Sequence, residues 1–190
     1  QTAASSILVG ISNTSDPAGT YTLFTFDADP GPTGPNNEWA DYPMIGFNTD
    51  KVAISVNMFT FAGAFTEGRL LVLDYPLLRG MVPAASATYF HSGAAVPSGI
   101  SSANGGFCMH PVFTYSSTEP TLYFVSHMSS AGATYRLTRL TGTQPVALTL
   151  TIGAVTVRPG GAWVNLGGNL LPQAPEPAGG IGGTAELEAQ

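Results

Sequence analysis

Lys51-Val52-Ala53-Ile54-Ser55-Val56-Asn57-Met58 carries its large apolar side chains on every second residue. That is the period of a β-strand with one face on a core and the other lighter or solvated. Val146, Leu148, Leu150 and Ile152 repeat the pattern, opposite Ala147, Thr149 and Thr151. Working outward, further runs with strand character are bounded by Gly, Pro, Asn, Asp and Ser clusters. They are Ile7–Ser12, Tyr21–Phe26, Met44–Phe47, Val52–Phe59, Arg69–Tyr75, Ala87–His91, Phe107–Tyr115, Thr121–Met128, Ala133–Leu140 and Val146–Val157. Only Pro76–Gly80 reads as a helical turn, with Pro first, two leucines and a Gly stop. The pattern predicts an all-β, antiparallel protein.

The strands repeat. Asp41-Tyr42-Pro43 precedes an apolar strand, the turn Asn48-Thr49-Asp50, and a second strand ending Val56-Asn57-Met58. Met109-His110-Pro111 precedes an apolar strand, the turn Ser116–Pro120, and a second strand ending Ser126-His127-Met128. A third and a fourth strand follow in each unit. Four antiparallel strands per repeat is the plan of a β-propeller blade, which needs a neighbour on either side to bury its faces. The chain therefore divides into a partial blade at 1–30, whole blades at 31–92 and 93–158, and a Gly/Pro-rich linker or the start of a further blade at 159–190. In the partial blade, Ile7–Ser12 and Tyr21–Phe26 take the places of second and third strands. This is too few blades to close a ring, so the chain is expected to be a fragment of something longer, or to be completed by another copy or a partner chain. The alternative fold is a β-sandwich of eight to ten strands.

Composition excludes several classes. Of 190 residues 44% are hydrophobic, enough for a core, and only 9% are charged, against about 25% in an average soluble domain. Six basic residues stand against twelve acidic ones, for a net charge of −6. Lys51 is the sole lysine, and Arg69, Arg79, Arg136, Arg139 and Arg158 are scattered. A phosphate-tracking surface needs clustered cations, so nucleic acid is excluded as a partner. No run is long and apolar enough to span a membrane as a helix. The single cysteine, Cys108, precludes an intrachain disulfide, and between Phe107 and Met109 it reads as a small hydrophobe in an apolar strand.

Several pieces carry a resemblance: Asp41-Tyr42-Pro43-Met44-Ile45-Gly46, Val52–Ser55, Asn57-Met58-Phe59, and Arg69–Asp74 with Leu77-Leu78-Arg79-Gly80. Ser12-Asn13-Thr14-Ser15-Asp16-Pro17 adds a Ser-x-x-x-Asp-Pro turn. Together they resemble a group of large secreted bacterial β-propellers, similar in architecture to sialidase-like propellers and mostly without an assigned activity. The likeness runs over roughly Ile7 to Gly80. It implies a secreted or cell-surface location and carries no known chemistry. The second unit departs from it, with Met109-His110 in place of Asp41-Tyr42.

Antiparallel pairing sets the start of a first strand beside the end of the second. Asp41 and Tyr42 should therefore lie near Asn57, and His110 near His127. At a channel mouth these five would bind a ligand, protein or carbohydrate; otherwise they cap turns and satisfy strand ends. No third ligand joins the two histidines, so no metal site is expected there. Asp27-Ala28-Asp29-Pro30-Gly31 is an exposed turn or a calcium loop, with Asp27 and Asp29 as oxygen donors. No paired carboxylates, Asp-box or Gly-x-Ser-x-Gly elbow marks a catalytic centre. The expected function is a non-catalytic interaction or structural scaffold. The alternatives are a piece of a carbohydrate-active, sialidase-like propeller enzyme, or a self-associating structural protein.

Overall fold

The computed structural model describes residues 5–29, 38–80, 88–90, 100–128, 134–143 and 147–157. They form an all-β, antiparallel protein of three sheets. The first sheet pairs β1 (Ser6–Ser12) with β2 (Tyr21–Asp27). The middle sheet runs in chain order through β3 (Glu38–Phe47), β4 (Lys51–Thr60), β5 (Phe65–Asp74) and β6 (Thr88–Phe90). The third sheet likewise runs through β7 (His110–Pro111), β8 (Leu122–His127), β9 (Thr134–Thr141) and β10 (Thr149–Val157). Pro43 and Pro111 both sit on the first strand of a four-stranded sheet. The short helix α1 spans Tyr75–Arg79, and Asp74 Oδ1 caps it by accepting from the Leu77 amide at 2.8 Å. No described helix is long and apolar enough to cross a membrane. The expected segment 159–190 and the ends Ala87, His91, Ala133 and Val146 of three expected strands lie outside the described residues.

The middle sheet is covered on both faces. On one face, Val52, Ile54, Val56 and Met58 of β4, with Leu71 and Leu73 of β5, form a core with Ile7, Val9, Phe26 and Ala28 of the first sheet. On the other, Ala53, Leu70 and Val72 pack with Ile100, Met109, Leu122, Phe124 and Leu140 of the third sheet and its approach. Fully burying a medium or large aliphatic side chain contributes about 1.5–3 kcal/mol, so both interfaces are substantial. The other face of β4 reads in sequence as lighter or solvated. Here Lys51, Ala53, Ser55 and Asn57 are all buried, because they are short or bonded and let the third sheet approach closely.

Glycines set that close approach. A Cβ added at Gly46 would lie 2.6 Å from the Pro111 carbonyl carbon, and one at Gly68 2.0 Å from the Gly106 oxygen. Polar side chains then bond directly to backbone across the gap. Ser55 Oγ donates to the Met109 carbonyl. Asn48 Nδ2 donates to the Glu119 carbonyl at 3.4 Å and Lys51 Nζ to the Pro120 carbonyl at 2.9 Å.

This junction also corrects the expected strand Phe107–Tyr115. Only His110 and Pro111 pair in ladder fashion with β8. Cys108 lies before the strand with φ of 50°, and Pro111 has no amide to donate. The Thr114 amide turns away from its own sheet to the Phe47 carbonyl, 2.8 Å distant. Cys108 is thus not a strand hydrophobe but a half-buried residue in a turn.

Candidate functional site

Asn57, near the end of β4, is the register partner of Asp41 on β3. Its side chain is buried between the middle and third sheets. Asn57 Oδ1 accepts from the Cys108 amide at 2.9 Å, and its Nδ2 reaches Cys108 Sγ at 3.4 Å. Two unusual backbone conformations flank it. Tyr42, next to Asp41, has φ of 51°, and Cys108 has φ of 50°. A left-handed conformation in a non-glycine residue costs on the order of 1–3 kcal/mol and persists only where its surroundings over-determine it. A residue before proline is additionally driven toward extended geometry, so Tyr42 works against Pro43 as well. A β-bulge between Asp41 and Met44 takes up the distortion.

The two histidines lie elsewhere. His110 stands opposite Val125, and His127 opposite Tyr135. Alternation along β8 puts Leu122, Phe124 and Ser126 toward the middle sheet and Val125 and His127 on the opposite face. His110 and His127 are therefore neighbours on the outer face of the third sheet. Asp41 and Asn57 are register partners on the middle sheet, and Tyr42 follows Asp41 within the bulge. The two histidines thus lie on the face of the third sheet turned away from Asn57.

The acidic loop after β2 is folded inward. Asp29 is 5% exposed, which overturns the expected exposed turn. Asp27 Oδ1 accepts from the Asp29 amide at 2.9 Å, and Asp29 Oδ1 accepts from Arg69 Nη1 at 2.9 Å. The same nitrogen donates to the Ala28 carbonyl at 2.7 Å. Arg69 Nε and Nη2 both reach Glu67 Oε1, at 3.0 and 2.8 Å, and Nη2 reaches Glu38 Oε2 at 3.3 Å. Burial disfavours the guanidinium charge, but the bonds and charges of Glu67 and Asp29 outweigh it and raise the pKa above its ordinary value. Asp29 Oδ1, an oxygen donor in the alternative calcium reading of this loop, thus holds an arginine. Among the described residues no three His, Cys, Asp or Glu side chains are grouped to hold a metal. A sequence signal for this cluster existed: Arg69 shares a strand face with Leu71 and Leu73, and a cation on a core face requires partners.

Two features escaped the sequence reading. A row of rings, Trp39, Phe59, Phe65 and Phe107, links the middle and third sheets with centroids 5.1 to 5.7 Å apart. A groove of about 350 Å³ lies between β1 and β3, floored by Ile54 and Val56. Comparison with protein-family models, curated proteins and solved structures finds no match to this chain.

Proposed function

We propose that this chain is a non-catalytic interaction or structural scaffold, part of a secreted or cell-surface β-propeller. The observation that carries the reading is the middle sheet, a four-stranded antiparallel meander covered on one face by the sheet before it in sequence and on the other by the sheet after it. Blades of a propeller are covered in that way. The polar groups on β4 and β5 support a structural role as well. Ser55, Asn57, Lys51 and Arg69 are buried and bonded within or between sheets.

A second reading, self-association, is favoured by the outer faces of the stack. Leu8 and Leu23 on the first sheet are 76% and 79% exposed, and Val125 and Leu137 on the third are also exposed. Such patches normally find a partner.

Three alanine variants of the full chain test the scaffold reading. Asn57→Ala is expected to lose about 1–3 kcal/mol in urea unfolding, because the Cys108 amide is left unsatisfied. Asp41→Ala and His127→Ala, at less buried positions, are expected to shift stability by less than about 1 kcal/mol. Incubation with aryl glycosides, sialosides included, is expected to give no turnover in any of the four proteins. Turnover by the parent that Asp41→Ala abolishes would replace the scaffold with a carbohydrate-active enzyme.

A further inference from the structure

We infer that the inner face of β9 binds a small monovalent inorganic anion, such as chloride, between Arg136 and Thr138. Alternation along β9 turns Thr138 and Leu140 toward the core shared with the middle sheet, and Arg136 falls on the same face. Thr138 is fully buried. Neither its Oγ1 nor the buried Nε of Arg136 has a hydrogen-bond partner among the described residues. Buried polar groups are nearly always bonded, so two orphans on one strand face call for a shared partner. Two residues along a strand span about 6.7 Å. One acceptor bonded from both sides at about 3 Å bridges that span. The nearest hydroxyl is already engaged, because Ser126, opposite Arg136 in register, donates to the Gly105 carbonyl at 2.6 Å. A bulge in β10 falls at the same place, with Ile152 opposite Thr138 and Val155 opposite Arg136. Bulges re-aim side chains in this way beside binding sites.

Charge decides between an anion and a water molecule as that acceptor. Arg136 Nη1 bonds to neutral groups, the Ala103 carbonyl at 2.9 Å and Asn104 Oδ1 at 3.4 Å. Lys51 and Arg69 each hold carboxylates, whereas no carboxylate among the described residues forms an ion pair with Arg136. The segments 30–37, 81–87, 91–99, 129–133 and 144–146 contain no Asp or Glu, so none of them carries a counter-charge for it. Arg136 is thus a half-buried cation with a desolvated N–H and no negative partner, a state that a bound anion relieves more fully than a neutral water. One acceptor atom shared by one N–H and one O–H suits a monatomic ion better than a phosphate or a carboxylate. Bound there, the ion ties β9 more firmly to the Ser102–Asn104 turn, which Arg136 already holds. The site uses the third sheet and that turn alone, so it does not depend on the propeller reading.

The experiment titrates the full chain with sodium chloride against sodium gluconate at constant ionic strength, reading the urea midpoint and the chloride NMR line width. In the parent the line width is expected to respond saturably, and the midpoint to rise with chloride as for any ligand that binds only the folded state. Thr138→Val removes the hydroxyl and is expected to weaken chloride binding about tenfold, the factor corresponding to one net hydrogen bond. In gluconate it should be no less stable than the parent, since an orphaned hydroxyl is gone. Arg136→Met should abolish the response, and Thr138→Val decides the matter if Arg136→Met fails to fold. Arg139→Gln, on the outer face of β9, should respond as the parent does. A parent with no saturable chloride response would overturn the inference, whether water or one of Glu176, Glu186 and Glu188 satisfies Arg136 instead. So would a parental response in Thr138→Val or a lost one in Arg139→Gln. Equal destabilisation of Thr138→Val in both salts would identify an ordered water and overturn it as well.

Discussion

Arg69 is 4% exposed and charged, and it is tolerable there only because carboxylates and a carbonyl surround it. Removing the cation leaves Asp29 and Glu67 buried beside each other. Arg69→Met is therefore expected to lose about 3–5 kcal/mol at neutral pH, read from urea unfolding. Because its pKa is raised, the arginine's contribution is fully present below its ordinary unfolded value and is lost only as pH climbs through the higher folded one. The gap between parent and variant due to this group should thus stay flat from about pH 7 to pH 10. A gap that closes with rising pH in that window would contradict the assignment. At this scale the sequence was half legible. Asp41 beside Asn57 follows from hairpin pairing alone. Asn57 bonding Cys108 does not, since it joins β4 to the turn before β7, 51 positions away.

Strands with a strong alternating face were the readable elements. β2, β4, β8 and β9 fall within a residue or two of the expected spans, because packing on one side imposes period 2 on the sequence. β7 was not readable: a proline, a left-handed Cys108 and bonds to a neighbouring sheet override an apolar run that promised a nine-residue strand. Whether the light face of β4 is covered or solvated was left open by the sequence for a related reason. Small residues look like a solvent face in sequence, yet here they mark where two sheets come within backbone contact. Gly68→Ala tests that claim, since its Cβ would lie 2.0 Å from the Gly106 oxygen, a backbone atom with nowhere to retreat. The expected loss is about 1–3 kcal/mol, as for other overpacked interiors. Gly10→Ala is the control, because its Cβ would meet the Leu23 side chain at an ordinary 3.4 Å, and its effect should stay within about 0.5 kcal/mol. Equal urea midpoints for the two variants would mean that the middle and third sheets are not in tight register.

Across the whole molecule, the succession of antiparallel strands was legible because hairpin order is written in local spacing, whereas what covers the two ends of the stack is not. Those ends are chemically different. The outer face of the first sheet pairs Ser6 with Asp27, Leu8 with Thr25 and Gly10 with Leu23, and the charge it carries is the carboxylate of Asp27. The outer face of the third pairs Tyr123 with Arg139, Val125 with Leu137 and His127 with Tyr135, and its charge is basic. Opposite charge beside matching apolar pairs favours a head-to-tail contact over two like faces meeting. The chain is accordingly expected to associate with rising concentration in sedimentation velocity. Leu23→Glu disables one face and Leu137→Glu the other, so each variant alone should sediment mainly as monomer. Mixed together they should form a one-to-one pair, because each keeps the face the other needs. If the contact instead joined two like faces, one variant would still dimerise alone and mixing would add nothing. A parent that stays monomeric at every concentration would leave these apolar faces without a partner copy and would remove self-association as a reading of this protein.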